Sequence, residues 1–139
     1  MDILTSIKEF SASKSWTFVQ GRKSDQNLID ITDVLKSEAD NMSEGETMIF
    51  LDPIERTSLD DGIQYSGNFM VLTNSALDKS YEDKFTDYIE PLIQTVLKDF
   101  KWSLNCDFDV LTWRSIEVVN AFDLNADGLA VSFTVKGYN

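Results

Sequence analysis

A long apolar stripe in the second half of the chain is the feature that most limits what it can fold into. Between Tyr81 and Phe100, apolar side chains recur every three or four residues, which is the period of an amphipathic α-helix. The stripe keeps its phase across Pro91, so the sequence predicts one helix kinked at the proline rather than two helices. Such a helix has to bury its apolar side against a second layer of structure.

Segments on both sides of this helix have the patterns of β-strands. Ile63–Thr73 alternates apolar and polar residues, as a half-buried strand does, and so does Leu129–Val135. Met48–Leu51 is an unbroken apolar run ended by Pro53, which is typical of a buried strand. Two further segments are candidate strands because they are rich in aromatic and β-branched residues: Trp16–Val19 and Asp107–Phe122.

Turn signals indicate how these strands connect. Asp60–Gly62 predicts an antiparallel hairpin between the strands on either side of it, and Leu124–Gly128 predicts a turn before the last strand. A short helix capped by Asp2 is predicted at the start of the chain. The order of elements predicts an α+β fold: an antiparallel sheet of four or five strands, with one long and one or two short helices packed on one face.

The length of 139 residues fits a single α+β domain over residues 1–139. Residues 22–46 interrupt the strand pattern with a long polar stretch. Apolar residues within Asp25–Met42 have near-helical spacing, but the many polar residues between them favour a polar arm or loop as well.

Composition excludes several classes of function. The chain has no His and only one Cys, so it holds no Ser-His-Asp triad, no Cys-His pair, no common zinc site and no intrachain disulfide. Its net charge of −12 makes it poorly suited to wrapping nucleic acid or binding an anionic membrane. No segment has the length of apolar sequence that a membrane span needs, and the N-terminus lacks the pattern of a secretory signal.

Three groups of carboxylates are the remaining candidates for chemistry. Asp123–Gly128 matches the first half of a calcium-binding EF-hand loop, but Thr134 stands where the bidentate Glu belongs, and a hairpin turn explains the same residues. Asp107 and Asp109 form a pair that could hold Mg²⁺, but the chain has no glycine-rich phosphate loop. Acids around Pro53 and in the Asp60–Gly62 turn read as exposed loop residues. We therefore predict no catalytic residue, no cofactor and no metal, and a protein that is not an enzyme.

Two expectations concern surfaces. Trp102 and Trp113 are expected to close the interface between the helix and the sheet, since large rings usually lie in such places. The last strand is followed only by a short polar tail from Gly137, so it is expected to lie close to an edge of the sheet and to be available to a neighbouring subunit.

The order of elements resembles that of bacteriophage tail-terminator and tail-completion proteins, which join phage heads and tails as rings. The resemblance is carried by the apolar strand Met48–Pro53, the helix Tyr81–Phe100 and the strand Gly128–Val135, and it covers most of the chain. It implies a structural virion protein at the head–tail junction or tail end, present in the host cytoplasm during assembly. Six or twelve copies would form a ring, in contact with connector, portal or tail proteins, and DNA would pass through it.

The resemblance and the charge together suggest where such a ring would make its contacts. The hairpin over Asp52–Gly62 and the arm over Asp25–Glu46 are expected to touch neighbouring subunits, with Asp60 and Asp61 as candidates for lining the lumen. A negatively charged lumen would repel phosphate and let DNA slide. The residues predicted for the interface are Asp52, Pro53, Glu55, Asp60 and Asp61.

Two alternatives remain open from the sequence. A small acidic inhibitor or DNA mimic would bind a basic nucleic-acid site on another protein, but its carboxylates would have to follow one face at about phosphate spacing. Here the acids are dispersed through loops and helix exteriors. The second alternative is a metal-dependent enzyme that uses Asp107 and Asp109.

Overall fold

The computed structural model describes residues 2–21, 42–75, 80–119 and 126–138. These residues form six strands and two helices, so the α+β class is confirmed, while the predicted number of four or five strands is too low. The elements in chain order are α1 (Ile3–Ser13), β1 (Thr17–Gln20), β2 (Thr47–Leu51), β3 (Glu55–Leu59), β4 (Gly62–Asn74), α2 (residues 81–105), β5 (Asp109–Val118) and β6 (Ala126–Tyr138).

One long ladder forms the middle of the sheet. β4 and β6 pair antiparallel along their whole lengths, from Gly62 opposite Tyr138 to Asn74 opposite Ala126. The strand order is β1-β2-β4-β6-β5, with β3 also paired to β4. All pairs are antiparallel except β1 with β2, which is parallel. The expectation of a purely antiparallel sheet is therefore wrong at this edge. β1 is connected to β2 by the long segment after Gly21 rather than by a hairpin, and a long connection permits parallel pairing.

β2 and β3 lie end to end along the same side of β4. β2 pairs with Phe69–Thr73 and β3 pairs with Gly62–Ser66, and the short link around Pro53 joins them. Leu59 lies opposite Gly62, which leaves Asp60 and Asp61 as a two-residue hairpin turn. The predicted hairpin turn is confirmed, but the strand directly before it is β3, which the sequence does not predict, rather than Met48–Leu51.

α2 is continuous across Pro91. It consists of α-helical stretches at Tyr81–Lys84, Glu90–Gln94 and Lys101–Asn105, separated by π-helical turns at Phe85–Ile89 and Thr95–Phe100. The amide of Glu90 donates to the carbonyl of Phe85, five residues back, in the turn that precedes the proline. A wider turn at this point accommodates a residue that has no N–H to donate. The predicted single long helix is confirmed, and it extends beyond Phe100 to Asn105.

Both helices pack on one face of the sheet, around an aromatic cluster. Phe100 of α2 lies fully buried at the centre. The Phe10 ring from α1 stacks on it at a centroid distance of 4.2 Å, and Phe69 of β4 and Trp113 of β5 contact it at 5.4 and 5.5 Å. The indole N–H of Trp113 donates to the carbonyl of Val96 at 3.1 Å, so a large ring does close the interface of helix and sheet there.

The opposite face of the sheet carries a second, smaller apolar cluster. Met48 and Phe50 of β2 and Leu72 of β4 belong to it, whereas Ile49 and Leu51 point to the helix side. β2 is thus buried on both faces, which explains its unbroken apolar run.

Three further sequence expectations are wrong. Trp102 lies within α2 and is 74% exposed, because it falls on the side of the helix away from the sheet. β6 is an inner strand rather than an edge strand, since β5 folds back along it. The turn predicted over Leu124–Gly128 does not include its last residues, because β6 already begins at Ala126.

A buried ion pair fastens the start of α2 to the sheet. Lys84 Nζ lies 3.4 Å from Asp127 Oδ2, and both side chains are almost fully buried. The hydroxyl of Ser75 also donates to Asp127. The pair joins a helix to the end of the central ladder, at a position that the sequence indicated only as a turn.

We expect Asp127→Ala to lower the free energy of unfolding by about 3–5 kcal/mol, because it leaves the Lys84 ammonium buried without its carboxylate. Urea unfolding at pH 7 measures this change. The matched control is Asp61→Ala, which removes an exposed carboxylate from its pair with Lys136 and should change stability little. Equal losses in the two variants would contradict the role given to the buried pair.

Candidate functional site

The predicted interface residues lie along one end of the sheet. Asp52 and Pro53 belong to the link between β2 and β3, Glu55 begins β3, and Asp60 and Asp61 form the hairpin turn. Glu55 and Asp60 are separated by the length of the strand, roughly 17 Å at 3.3–3.4 Å per residue. Because two cooperating carboxylates have to lie within about 10 Å of one another, Glu55 and Asp60 are too far apart to act as an acid–base pair.

Polar contacts connect this end of the sheet to the last strand. Asp61 Oδ2 accepts from the Lys136 ammonium at 3.1 Å, and this carboxylate raises the pKa of Lys136. The hydroxyl of Tyr138 donates to Asp109 Oδ2 at 2.6 Å. That hydrogen bond stabilises the protonated hydroxyl and raises the pKa of Tyr138. Asp109 therefore already serves as a hydrogen-bond acceptor within the fold.

The candidate metal sites do not acquire a ligand set. No group of three or more His, Cys, Asp or Glu within the described ranges is arranged to hold a metal ion. Asp127, from the half EF-hand match, is buried and paired with the Lys84 ammonium, a cation that the protein itself supplies. Asp123 and Asn125 of the same match lie outside the described residues, as do residues 22–41 of the predicted arm.

An open cavity of 390 Å³ lies where α1 meets β1, lined by Lys14, Ser15, Trp16, Thr17, Gly45, Glu46 and Thr47. Its only carboxylate, that of Glu46, accepts a hydrogen bond from the amide of Ser43 and holds the turn before β2. This lining has one acid and one amine, with no nucleophile that another group activates, so it does not resemble a catalytic centre.

The most unusual surface is the outer side of β5, here called the β5 edge. Within the described part of the chain, no strand pairs with β5 on the side away from β6. β5 is a long strand, and it exposes two large apolar side chains, Leu111 at 55% and Ile116 at 70%. Natural proteins usually shorten or charge such an edge, because its unpaired backbone groups attract other strands.

The sequence does not reveal the β5 edge. It predicts a strand within Asp107–Phe122, but strand order cannot be derived from periodicity, so the expected edge is β6 instead. One sequence signal does point to an edge: the apolar–polar alternation fails at the adjacent residues Val110 and Leu111. In the structure, the ladder to β6 has a register shift between Val110 and Thr112, and such irregularities are common at sheet edges.

No helix in the described ranges has both the length and the apolar character to cross a membrane. No protein-family model matches the chain, and no curated protein has a significantly similar sequence.

Asp52 provides a test of the electrostatics at this surface. Its carboxyl is half-buried, and the loss of solvent raises its pKa above the ordinary value of 3.8. The folded chain therefore binds this proton more tightly than the unfolded chain does, so ionised Asp52 lowers stability at pH values above its folded pKa.

We expect Asp52→Asn to raise the free energy of unfolding at pH 7, and we expect the gain to disappear as the pH falls below 3.8, where Asp52 is protonated in both states. Denaturant unfolding at a series of pH values measures the difference. Asp60→Asn, which removes the same charge at an exposed turn position, is the matched control and should change stability little at pH 7. A gain that persists unchanged at low pH would contradict this account.

Proposed function

We propose that this protein is a structural, non-enzymatic virion subunit. Copies of it form a ring of six or twelve at the head–tail junction or tail end of a bacteriophage, and DNA passes through the ring. It assembles in the host cytoplasm beside connector, portal or tail proteins. The observation that carries the proposal is the β5 edge, a long strand with one side unpaired in the described structure and with Leu111 and Ile116 exposed.

The arrangement of the sheet supports a ring over a simple pair. The β5 edge lies at one side of the sheet, and the outer sides of β1 and β3 lie at the other. Two different surfaces on opposite sides of a subunit favour head-to-tail association, which closes into a ring when the rotation between subunits permits it. The element order that resembles tail-terminator proteins, with its hairpin, long helix and final pair of strands, is also consistent with this role.

The charge supports the passage of DNA. Twenty-four acidic residues against twelve basic ones give every copy a net charge of −12, so a ring would carry a large negative charge. Such a lumen repels phosphate and prevents DNA from sticking. The same charge opposes association between copies, so the contact surfaces must supply specific compensating interactions.

We expect the purified protein at high concentration to form closed rings of uniform size. Light scattering measures the mass, and negative-stain imaging of the same sample shows the shape. Rings of six or twelve copies would support the proposal. A protein that stays monomeric at every concentration and is captured instead by a basic nucleic-acid-binding partner would contradict self-assembly and favour the acidic inhibitor.

Asp60 and Asp61 test the proposed lumen. Both are exposed in the hairpin turn, so replacing both with Asn should leave the fold intact. We expect the double variant to slow DNA packaging or ejection in reconstituted particles, because neutral side chains no longer repel phosphate. The matched control is the double variant Glu82→Asn and Asp83→Asn in the first turn of α2. It also removes two negative charges, but outside the hairpin turn. A folded turn variant that packages and ejects DNA normally would exclude the turn from the lumen.

A further inference from the structure

Each of the strands β3 and β5 has one charged side chain without a polar partner in the described structure, and its other charged side chains form hydrogen bonds or ion pairs within the chain. On β5, Glu117 accepts from the Tyr81 hydroxyl at 2.6 Å and Asp109 accepts from Tyr138. On β3, Arg56 pairs with Asp2 at 2.9 Å. The side chains of Arg114 on β5 and Glu55 on β3 are both exposed, and neither has a hydrogen bond or ion pair in the described structure.

These two unpaired side chains have opposite charges and point to the same face of the sheet. Glu55 lies opposite Ser66 of β4, and Arg114 lies opposite Ser132 of β6, which in turn lies opposite Asn68 of β4. Ser66 and Asn68 are two residues apart on one strand, so their side chains share a face. Glu55 and Arg114 are therefore on one face, at opposite sides of the sheet, with an offset of about 7 Å along the strands.

The directions of the strands determine how a second copy could join. β3 is antiparallel to β4, β4 to β6, and β6 to β5, so β5 and β3 run in opposite directions within one copy. When the sheet of one copy continues into the sheet of the next without being turned over, β5 meets the next β3 as an antiparallel neighbour. This is the more stable of the two pairing modes.

We propose that copies of this chain associate head to tail through the β5 edge of one copy and the outer side of β3 in the next, with Arg114 opposite Glu55. This inference rests on the proposed ring and names the two surfaces that form it. Directly opposed side chains on one face have Cβ atoms about 4.5–5.5 Å apart, which suits an Arg–carboxylate pair. Arg114 thus provides a positive charge at the contact between two chains that each have a net charge of −12.

The same register makes a neighbouring pair favourable. Counting outward from Arg114 opposite Glu55 in an antiparallel ladder places Thr112 opposite Thr57, a cross-strand pair that stabilises sheets. Glu55, one of the residues predicted for the interface, thus lies in this contact.

A two-fold contact between two β5 edges would not serve equally well. The acidic β5 residue on the face of Arg114 is Asp109, which lies across the register shift and already accepts from the Tyr138 hydroxyl. In a two-fold contact Arg114 would compete with Tyr138 for this carboxylate, whereas Glu55 on β3 has no partner in the described structure.

Cross-linking distinguishes the two arrangements. In a Cys106→Ser background, which removes the exposed native thiol, the double variant Thr57→Cys and Thr112→Cys leaves Arg114 and Glu55 in place and is treated with a short bismaleimide. We expect a ladder of covalent oligomers that ends at the ring size, because every copy carries both halves of the contact. Each single cysteine variant should give no covalent oligomers, because neither position meets itself in a head-to-tail contact. Cross-linked dimers from Thr112→Cys alone would overturn the proposal in favour of a two-fold contact.

Charge exchange tests the pair itself. We expect Arg114→Glu to weaken self-association about tenfold or more by sedimentation equilibrium, since it places two carboxylates opposite each other. Adding Glu55→Arg to the same chain should restore most of the loss. Lys98→Glu on α2 makes the same change in net charge away from both edges and serves as the control. Equal weakening by Lys98→Glu, or no rescue by the second substitution, would overturn the pairing.

The outcomes separate this inference from the proposed function. Rings that form without cross-links at these positions would contradict the β5–β3 contact and leave the ring in place. A protein that neither assembles nor cross-links at any concentration would contradict both.

Discussion

The antiparallel ladder between β4 and β6 is the constraint on which the rest of the structure depends. It pairs thirteen residues on each strand without interruption; β2, β3 and β5 each pair with one of these two strands, and β1 joins the sheet through β2. One face of the ladder supplies Phe69, Val131 and Phe133 to the core beneath the helices. Its end holds Asp127, where Lys84 anchors α2. Because the ladder joins segments more than fifty residues apart, the fold depends on contacts that no local pattern specifies.

The sequence predicted the parts of the fold that local chemistry determines. The period of the apolar stripe identified α2, the alternation over Ile63–Thr73 identified β4, and the carboxylate of Asp2 was recognised as the cap of α1, where it accepts from the amide of Leu4 at 2.9 Å. The Asp60–Gly62 turn identified the hairpin. Each of these signals lies within a few residues of the structure that it predicts.

The remainder depends on long-range pairing. β3 was missed because its exposed, polar residues on an outer strand do not alternate. The parallel pair of β1 and β2 and the inner position of β6 are properties of strand order, which periodicity does not encode. Trp102 and Trp113 are equally aromatic in sequence, but one lies exposed on the outer side of α2 and the other faces Phe100. For the candidate site, the sequence indicated the acidic hairpin but not Arg114, because the importance of Arg114 follows from its place on an edge.

Assembly of a chain with a net charge of −12 requires contacts that offset repulsion, and the outer strands are where the structure offers them. Hydrogen exchange of the backbone amides, measured by mass spectrometry in dilute and concentrated samples, tests this claim most directly. If copies join through these strands, amide exchange in Thr112–Val118 and in β3 slows as the protein assembles, while exchange in the central ladder is unchanged. If particles assemble while the exchange of both outer strands stays the same, the edges are not the contact and the account is wrong.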